Sequence, residues 1–267
     1  MSKLGVEGLA AERADALAIF ESLTDSEWKL PSDCAGWKVR DVLAHMGSTL
    51  HGVIDPAFMP DLSGGTEPSM EGPVAERRDW TIAQVLDEYA SFSEQVAALA
   101  ASAQDPPLAE TMLPMGDLGT HPMAMMPDLF LFDVYCHLRN DILAPNGPID
   151  RAEPPRDESR LRPTVEWMIA GLPWMCRDAL VDIVDRPLTL ELDGLGGGTW
   201  TITPGDDTTE GRVRVSDGAA SDAAATARST DHDFVVWGTQ RRPWRGFVKV
   251  GGDDDYAAEI LDRVKII

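Results

Sequence analysis

Apolar side chains recur at three- and four-residue steps through roughly the first 144 residues, which predicts amphipathic helices. Leu9, Ala16, Leu17, Phe20 and Leu23 form the inner face of a first helix that ends near Thr24 and Asp25. Val39, Val42, Leu43, Met46, Leu50 and Val53 are the stripe of a second, which begins after Gly36 and is stopped by Pro56. A third runs from Trp80 and Thr81 to about Ala103, with Val85, Leu86, Tyr89, Val96 and Leu99 inward and Thr81 as its N-cap. A fourth runs from Met123 or Pro127 to Leu143 and is cut by Pro145. The polar stretches 59–79 and 104–122 read as loops. Four helices joined in this way predict an antiparallel bundle.

Beyond Pro145 the pattern changes. Residues 145–163 hold five prolines and read as a linker. A helix over about 163–184 follows, kinked or split at Gly171 and Pro173. From Pro187 the period becomes two: 188–193 and 199–203 read as strands about a glycine-rich turn, 212–216 as a third and 247–250 as a fourth. Short helices are expected over 231–239 and 254–264, the latter with Asp253, Asp254 and Asp255 at its N-terminus. The fold class is therefore α+β: a helical bundle over 1–150, a linker and connecting helix over 151–186, and a smaller α+β domain over 187–267.

Composition narrows the partners. The chain of 267 residues carries 23 basic and 45 acidic side chains, a formal charge of −22, which repels phosphate backbones and anionic lipid. Nucleic acid and membrane are thus poor partners, and no apolar run reaches the ~18 residues of a spanning helix. The acidic residues near the start argue against a secretory signal. Cys34, Cys136 and Cys176 are odd in number and far apart, which argues against a disulfide framework and for the cytoplasm.

Chemistry gathers in the fourth helix. Taking Asp133 as zero, His137 lies at about 40° and Asp141 at about 80° on an α-helix, on the border of the apolar stripe. A carboxylate and an imidazole one turn apart can reach a single metal ion, and His45 on the second helix is the natural third ligand. A competing reading makes His45 a satisfied flank residue and pairs Asp133 or Asp141 with Arg139 or Arg40. His51 lies about 240° from His45 and cannot share its ion through one helix face. His121 sits in a loop before Pro122, and His232 lies between two aspartates in a surface turn. Cys34 is open to a thiol role or to packing beneath Trp37; Cys136 points away from His137, and Cys176 reads as core. The segment Gly194-Leu-Gly-Gly-Gly198 joins two strands and has no helix start behind it, so it reads as a hairpin turn and not a phosphate loop.

The element Gly36-Trp37-Lys-Val-Arg-Asp-Val-Leu-Ala-His45, with Asp133-x-x-x-His137-x-x-x-Asp141, resembles the mycothiol-dependent maleylpyruvate isomerase family of the DinB-like metal-binding superfamily. The tail resembles that family's sterol-carrier-like α+β domain. The resemblance implies a divalent metal, usually zinc, held by His45, Asp133 and His137. The isomerase has glutamate where this chain has Asp133. It also implies mycothiol as thiol cosubstrate, a small electrophilic substrate, and isomerisation or S-transfer as the reaction. An arginine of the tail, Arg241 or Arg242, is implicated in the active site, and Asp141 would orient His137. Two other readings share the fold: a non-enzymatic carrier of an apolar ligand, with Met123, Met125, Met126, Trp174 and Trp244 lining a pocket, and a bundle that has lost turnover.

Overall fold

A computed structural model of the chain describes residues 2–206, 209 and 211–267. The fold is α+β and divides into two compact units, Met1–Gly116 with Thr120–Pro155, and Asp117–Gly119 with Arg156–Ile267. Among the described residues no helix is long and apolar enough to cross a membrane.

The first unit is built on helices α1 (Lys3–Glu21), α2 (Val39–Ile54), α3 (Thr66–Ser69), α4 (Glu71–Glu76), α5 (Ile82–Ser102) and α6 (Met126–Cys136). Their packing follows from the apolar stripes: α2 lies along α5, and α1 packs on both α5 and α6. Phe20, Val42, Leu43, Met46, Tyr89, Leu131 and Leu138 are fully buried in the shared core. The Thr81 hydroxyl accepts the Gln84 amide at the start of α5, and Gln84 answers to the Thr81 amide. The stretch 59–79 is not irregular throughout, because Met70 and Val74 are buried and fold it into α3 and α4. Likewise 104–122 contains a short antiparallel pair, β1 (Met112–Pro114) and β2 (Thr120–Pro122).

One departure bears on the site. The fourth long helix does not continue as α to Leu143: from His137 to Ile142 it widens into a π turn, with the Leu143 amide donating to the Leu138 carbonyl five residues back.

The second unit holds α7 (Glu158–Met175), α8 (Arg177–Leu180) and a five-stranded sheet. Helix α7 begins before Pro163 because the Asp157 carboxylate caps it, accepting the Arg160 amide. The strands are β3 (Leu188–Asp193), β4 (Gly198–Thr203), β5 (Arg214–Asp217), β6 (Ala225–Thr230) and β7 (Lys249–Gly252), in the order β5-β4-β3-β6-β7. Strand β6, which the sequence pattern does not announce, pairs parallel to β3, and all other pairings are antiparallel. The last strand starts later than expected, because residues Trp244–Gly246 form a turn that accepts the Phe247 and Val248 amides. Helices α9 (Asp231–Gly238) and α10 (Asp254–Leu261) pack on β6. Asp253 accepts the Tyr256 amide, so the acidic run is a helix cap.

Candidate metal centre

Helix α2 buries Val39, Val42, Leu43, Met46 and Leu50 and leaves His45 on the flank of that stripe, its side chain 12% exposed. From α6, Asp133 faces the same space, and His137 follows one turn later at the start of the π turn. The Asp133 carboxylate oxygen lies 3.7 Å from His45 Nε2 and 3.5 Å from His137 Nε2. The two imidazoles meet edge to face with ring centroids 4.9 Å apart. Donors about 2.0–2.1 Å from one tetrahedral ion stand about 3.3–3.4 Å from each other. The two separations from Asp133 need closing by only a few tenths of an ångström. All three donors lie within 4.8 Å of one another, so the shorter side chain of Asp133 still reaches.

A second observation bears on the fit. His45 Nδ1 is buried and has no hydrogen-bond partner. Asp133, at 3.7 Å, is too far for a hydrogen bond to His45 Nε2, which leaves that nitrogen open to an ion, while Nδ1 lacks the carboxylate that supports His137. Two imidazoles and a carboxylate form a donor set that suits zinc and leaves a coordination position for substrate. The residues fit a divalent ion.

Asp141 supports His137 from behind. Its Oδ2 accepts from His137 Nδ1 at 2.7 Å, and its side chain is only 2% exposed. This contact aims Nε2 at Asp133. Burial opposes charge on His137, but the Asp141 hydrogen bond, with Cys34 and the Asp133 charge, overcomes it and lifts the pKa to about 10 in the ion-free site. Burial and the Asp133 charge also push the Tyr89 phenol above its ordinary value.

Cys34 belongs to this neighbourhood. Gly36, at φ +84°, turns the chain so that the Trp37 amide donates to the Cys34 carbonyl, and the Asp33 amide donates to the Asp141 carbonyl. The loop is thereby docked on the π turn, and Cys34 Sγ stands 3.8 Å from His137 Nδ1. Trp37 lies beside His45, ring centroids 5.2 Å apart and tilted by 42°, and its indole donates to Glu71 at the start of α4. Spacing could not bring Cys34 to His137, because the contact depends on a backbone hydrogen bond between distant segments.

The arginines of the competing reading are engaged elsewhere. Arg139 pairs with buried Glu12 and with Glu153, while Arg40 donates to the carbonyls of Arg77 and Trp80. His51 is held by Glu88, 2.8 Å away, and stacks against Phe58 and Phe92. His121 is buried in β2, not in an open loop. Cys136 and Cys176 are buried, and burial raises Cys176 to about 11.

In the second unit, Arg241 and Arg242 follow α9: the Arg241 amide donates to the Val236 carbonyl, and the Arg242 guanidinium donates to the Arg241 carbonyl. That unit also has a cleft of about 580 Å³ lined by Arg162, Glu166, Ile169, Pro173, Trp200 and Asp217, among others. Neither Trp174 nor Trp244 lines it.

Residues 9–138 match the family model of the mycothiol maleylpyruvate isomerase N-terminal domain. Among solved structures, the mycothiol-dependent maleylpyruvate isomerase aligns at 9% identity with a TM-score of 0.59. A mutant of it with one histidine changed to alanine aligns at 10% identity and 0.56. Both alignments cover 94% of this chain and 93% of the other, a likeness of fold. No curated protein matches the chain.

Proposed function

The chain belongs to the mycothiol maleylpyruvate isomerase family through residues 9–138, and from that premise we propose that it is a cytoplasmic, metal-dependent thiol enzyme acting with mycothiol on a small electrophile. His45, Asp133 and His137 hold the ion, zinc by the chemistry of the set. The observation that carries this reading is the convergence of two histidines from separate helices on one carboxylate oxygen, at 3.7 and 3.5 Å. In this reading the helical unit is a DinB-like four-helix bundle and the second unit a sterol-carrier-like domain.

A divalent ion bound there favours the thiolate over the thiol and so supplies a nucleophilic sulfur near neutral pH. The chain's residues prepare that position. Asp141 holds the Nδ1 proton of His137 and so leaves Nε2 to face the ion. Trp37, tethered to Glu71, stands beside the His45 ring and limits where it can move. The sulfur adds to an electrophilic carbon. If that carbon belongs to a conjugated double bond, the electron pair moves onto the activating carbonyl, the former double bond turns as a single bond, and return of the pair expels the thiolate to give the isomer; if the enolate takes a proton from solvent instead, the product is the conjugate. Arg241 and Arg242 are the proposed catalytic arginines, to be tested one at a time by substitution with lysine and alanine. A carrier of apolar ligands would call for an apolar cavity, and Arg162, Glu166 and Asp217 on the walls of the described cleft support the enzyme reading better.

Metal analysis of the purified protein tests the proposal, followed by an adduct and isomerisation screen with mycothiol and electrophiles. About one zinc per chain is expected, with loss of both zinc and thiol chemistry in His137→Ala. A chelated protein with unchanged melting temperature and unchanged turnover would overturn it.

A further inference from the structure

His137 has two ring nitrogens: in the site above Nε2 faces the ion and Nδ1 donates to Asp141. We propose that its other face is a second cation position, for thiophilic ions, built from Cys34 Sγ, His137 Nδ1 and Asp141 Oδ2. These three donors also lie within 4.8 Å of one another. They come from a loop and from the π turn, and the Asp33 amide to Asp141 carbonyl hydrogen bond fixes the two pieces together.

The distances favour an ion with sulfur among its ligands. Sulfur about 2.3 Å and nitrogen about 2.0–2.1 Å from one tetrahedral ion stand about 3.6 Å apart, and Cys34 Sγ is 3.8 Å from Nδ1. The Asp141 oxygen, at 2.7 Å from Nδ1, is in hydrogen-bond contact and has to swing outward by about 0.6 Å to share the ion. The two positions therefore differ in kind. The His45 side offers nitrogen and oxygen that need to close on Asp133 by only a few tenths of an ångström. The Cys34 side offers a soft sulfur at the right spacing but requires the Asp141 contact to open. Soft ligands select soft ions, so cadmium(II) or copper(I) gains most from the Cys34 side.

The shared ring makes the positions antagonistic. A neutral imidazole has one lone pair, on Nδ1 or on Nε2. An ion on Nδ1 requires the Cys34 thiol and Nδ1 to release their protons to solvent and leaves the remaining ring proton on Nε2, facing Asp133. The His45 side then loses a ligand. Thiophilic ions would thus displace the ion of the first position without occupying it.

Cadmium(II) titration of the metal-free, full-length protein tests this through the thiolate-to-cadmium ultraviolet absorption. The expected result is one cadmium with that band in the natural chain and in His45→Ala, and no band in Cys34→Ser. Zinc added first should weaken cadmium binding at least tenfold. A band that persists in Cys34→Ser, or one that vanishes in His45→Ala as it does in Cys34→Ser, would overturn the second position. Alkylation mapping of the unmutated protein gives a measure free of folding defects: cadmium should protect Cys34, and unprotected Cys34 would speak against the site. The inference shares His137 with the proposed function but fails separately from it. Zinc kept in Cys34→Ser and lost in the Cys34→Ser, His45→Ala double variant supports the first position whatever cadmium does, and no zinc binding in Cys34→Ser overturns that position alone.

Discussion

At the scale of single residues, the contact between Asp141 and His137 has a measurable weight. Carboxylates behind a ligating histidine typically change metal affinity 10–100-fold. Asp141→Asn keeps the shape and an acceptor oxygen but removes the charge. We expect zinc affinity, measured by competition with a chromophoric chelator, to fall about 10–100-fold with the fold intact. An unchanged affinity would mean that Asp141 serves only the backbone contact to Asp33. The raised pKa of His137 gives a second expectation. In the ion-free protein the protonated ring is favoured by folding, so its stabilisation is complete below the unfolded value of about 6.5 and is lost as pH climbs through about 10. Zinc has to displace that proton. Calorimetry at pH 8 in buffers of different ionisation enthalpy should show close to one proton released from His137 on binding, and affinity should rise with pH across that window. Burial also predicts that Cys176, raised to about 11, resists alkylation at pH 8 until the protein is unfolded.

At the scale of elements, two features hold the site in place. The buried Arg139–Glu12 pair ties the π turn to α1, with the second guanidinium nitrogen 3.0 Å from the other carboxylate oxygen. Removing one partner of a buried pair costs about 3–5 kcal/mol, so Glu12→Ala should lower denaturant stability by that order. Gly36 allows the turn that delivers Cys34, and since nothing lies within 4 Å of a Cβ placed there, Gly36→Ala carries a conformational penalty of about 1–2 kcal/mol and no clash. Asparagine, which tolerates positive φ better, should recover part of it. These same elements mark how far the sequence could be read. The apolar stripes of α1, α2 and α5, the Thr81 cap and the ligand-type spacing Asp133, His137, Asp141 are local patterns and were legible. Strand β6 was not, because its inward positions are Ala225, Ala227 and Ser229, small residues that let α9 and α10 approach and that carry little alternation. The π turn was not, because the register of its hydrogen bonds is set by what it packs against. Cys34 beside His137 depends on both.

At the scale of the whole molecule, net charge governs the response to salt. With 45 acidic and 23 basic side chains, the chain carries a field that draws divalent cations and opposes its own compaction. Raising salt from about 0.01 M to about 0.15 M shortens the screening length from about 30 Å to about 8 Å. Exposed ion pairs such as Arg245–Asp262 and Arg228–Glu191 weaken as well, but each is worth little. Relief of the net repulsion should therefore win, and the melting temperature of the ion-free protein should rise with salt. The zinc association rate, measured by stopped flow, should fall over the same range, because the attraction that steers the cation is screened together with the repulsion. The two responses have opposite signs and one cause. A melting temperature that rises while the association rate stays flat would place the cation's approach outside the field, through a locally neutral entrance to His45 and His137.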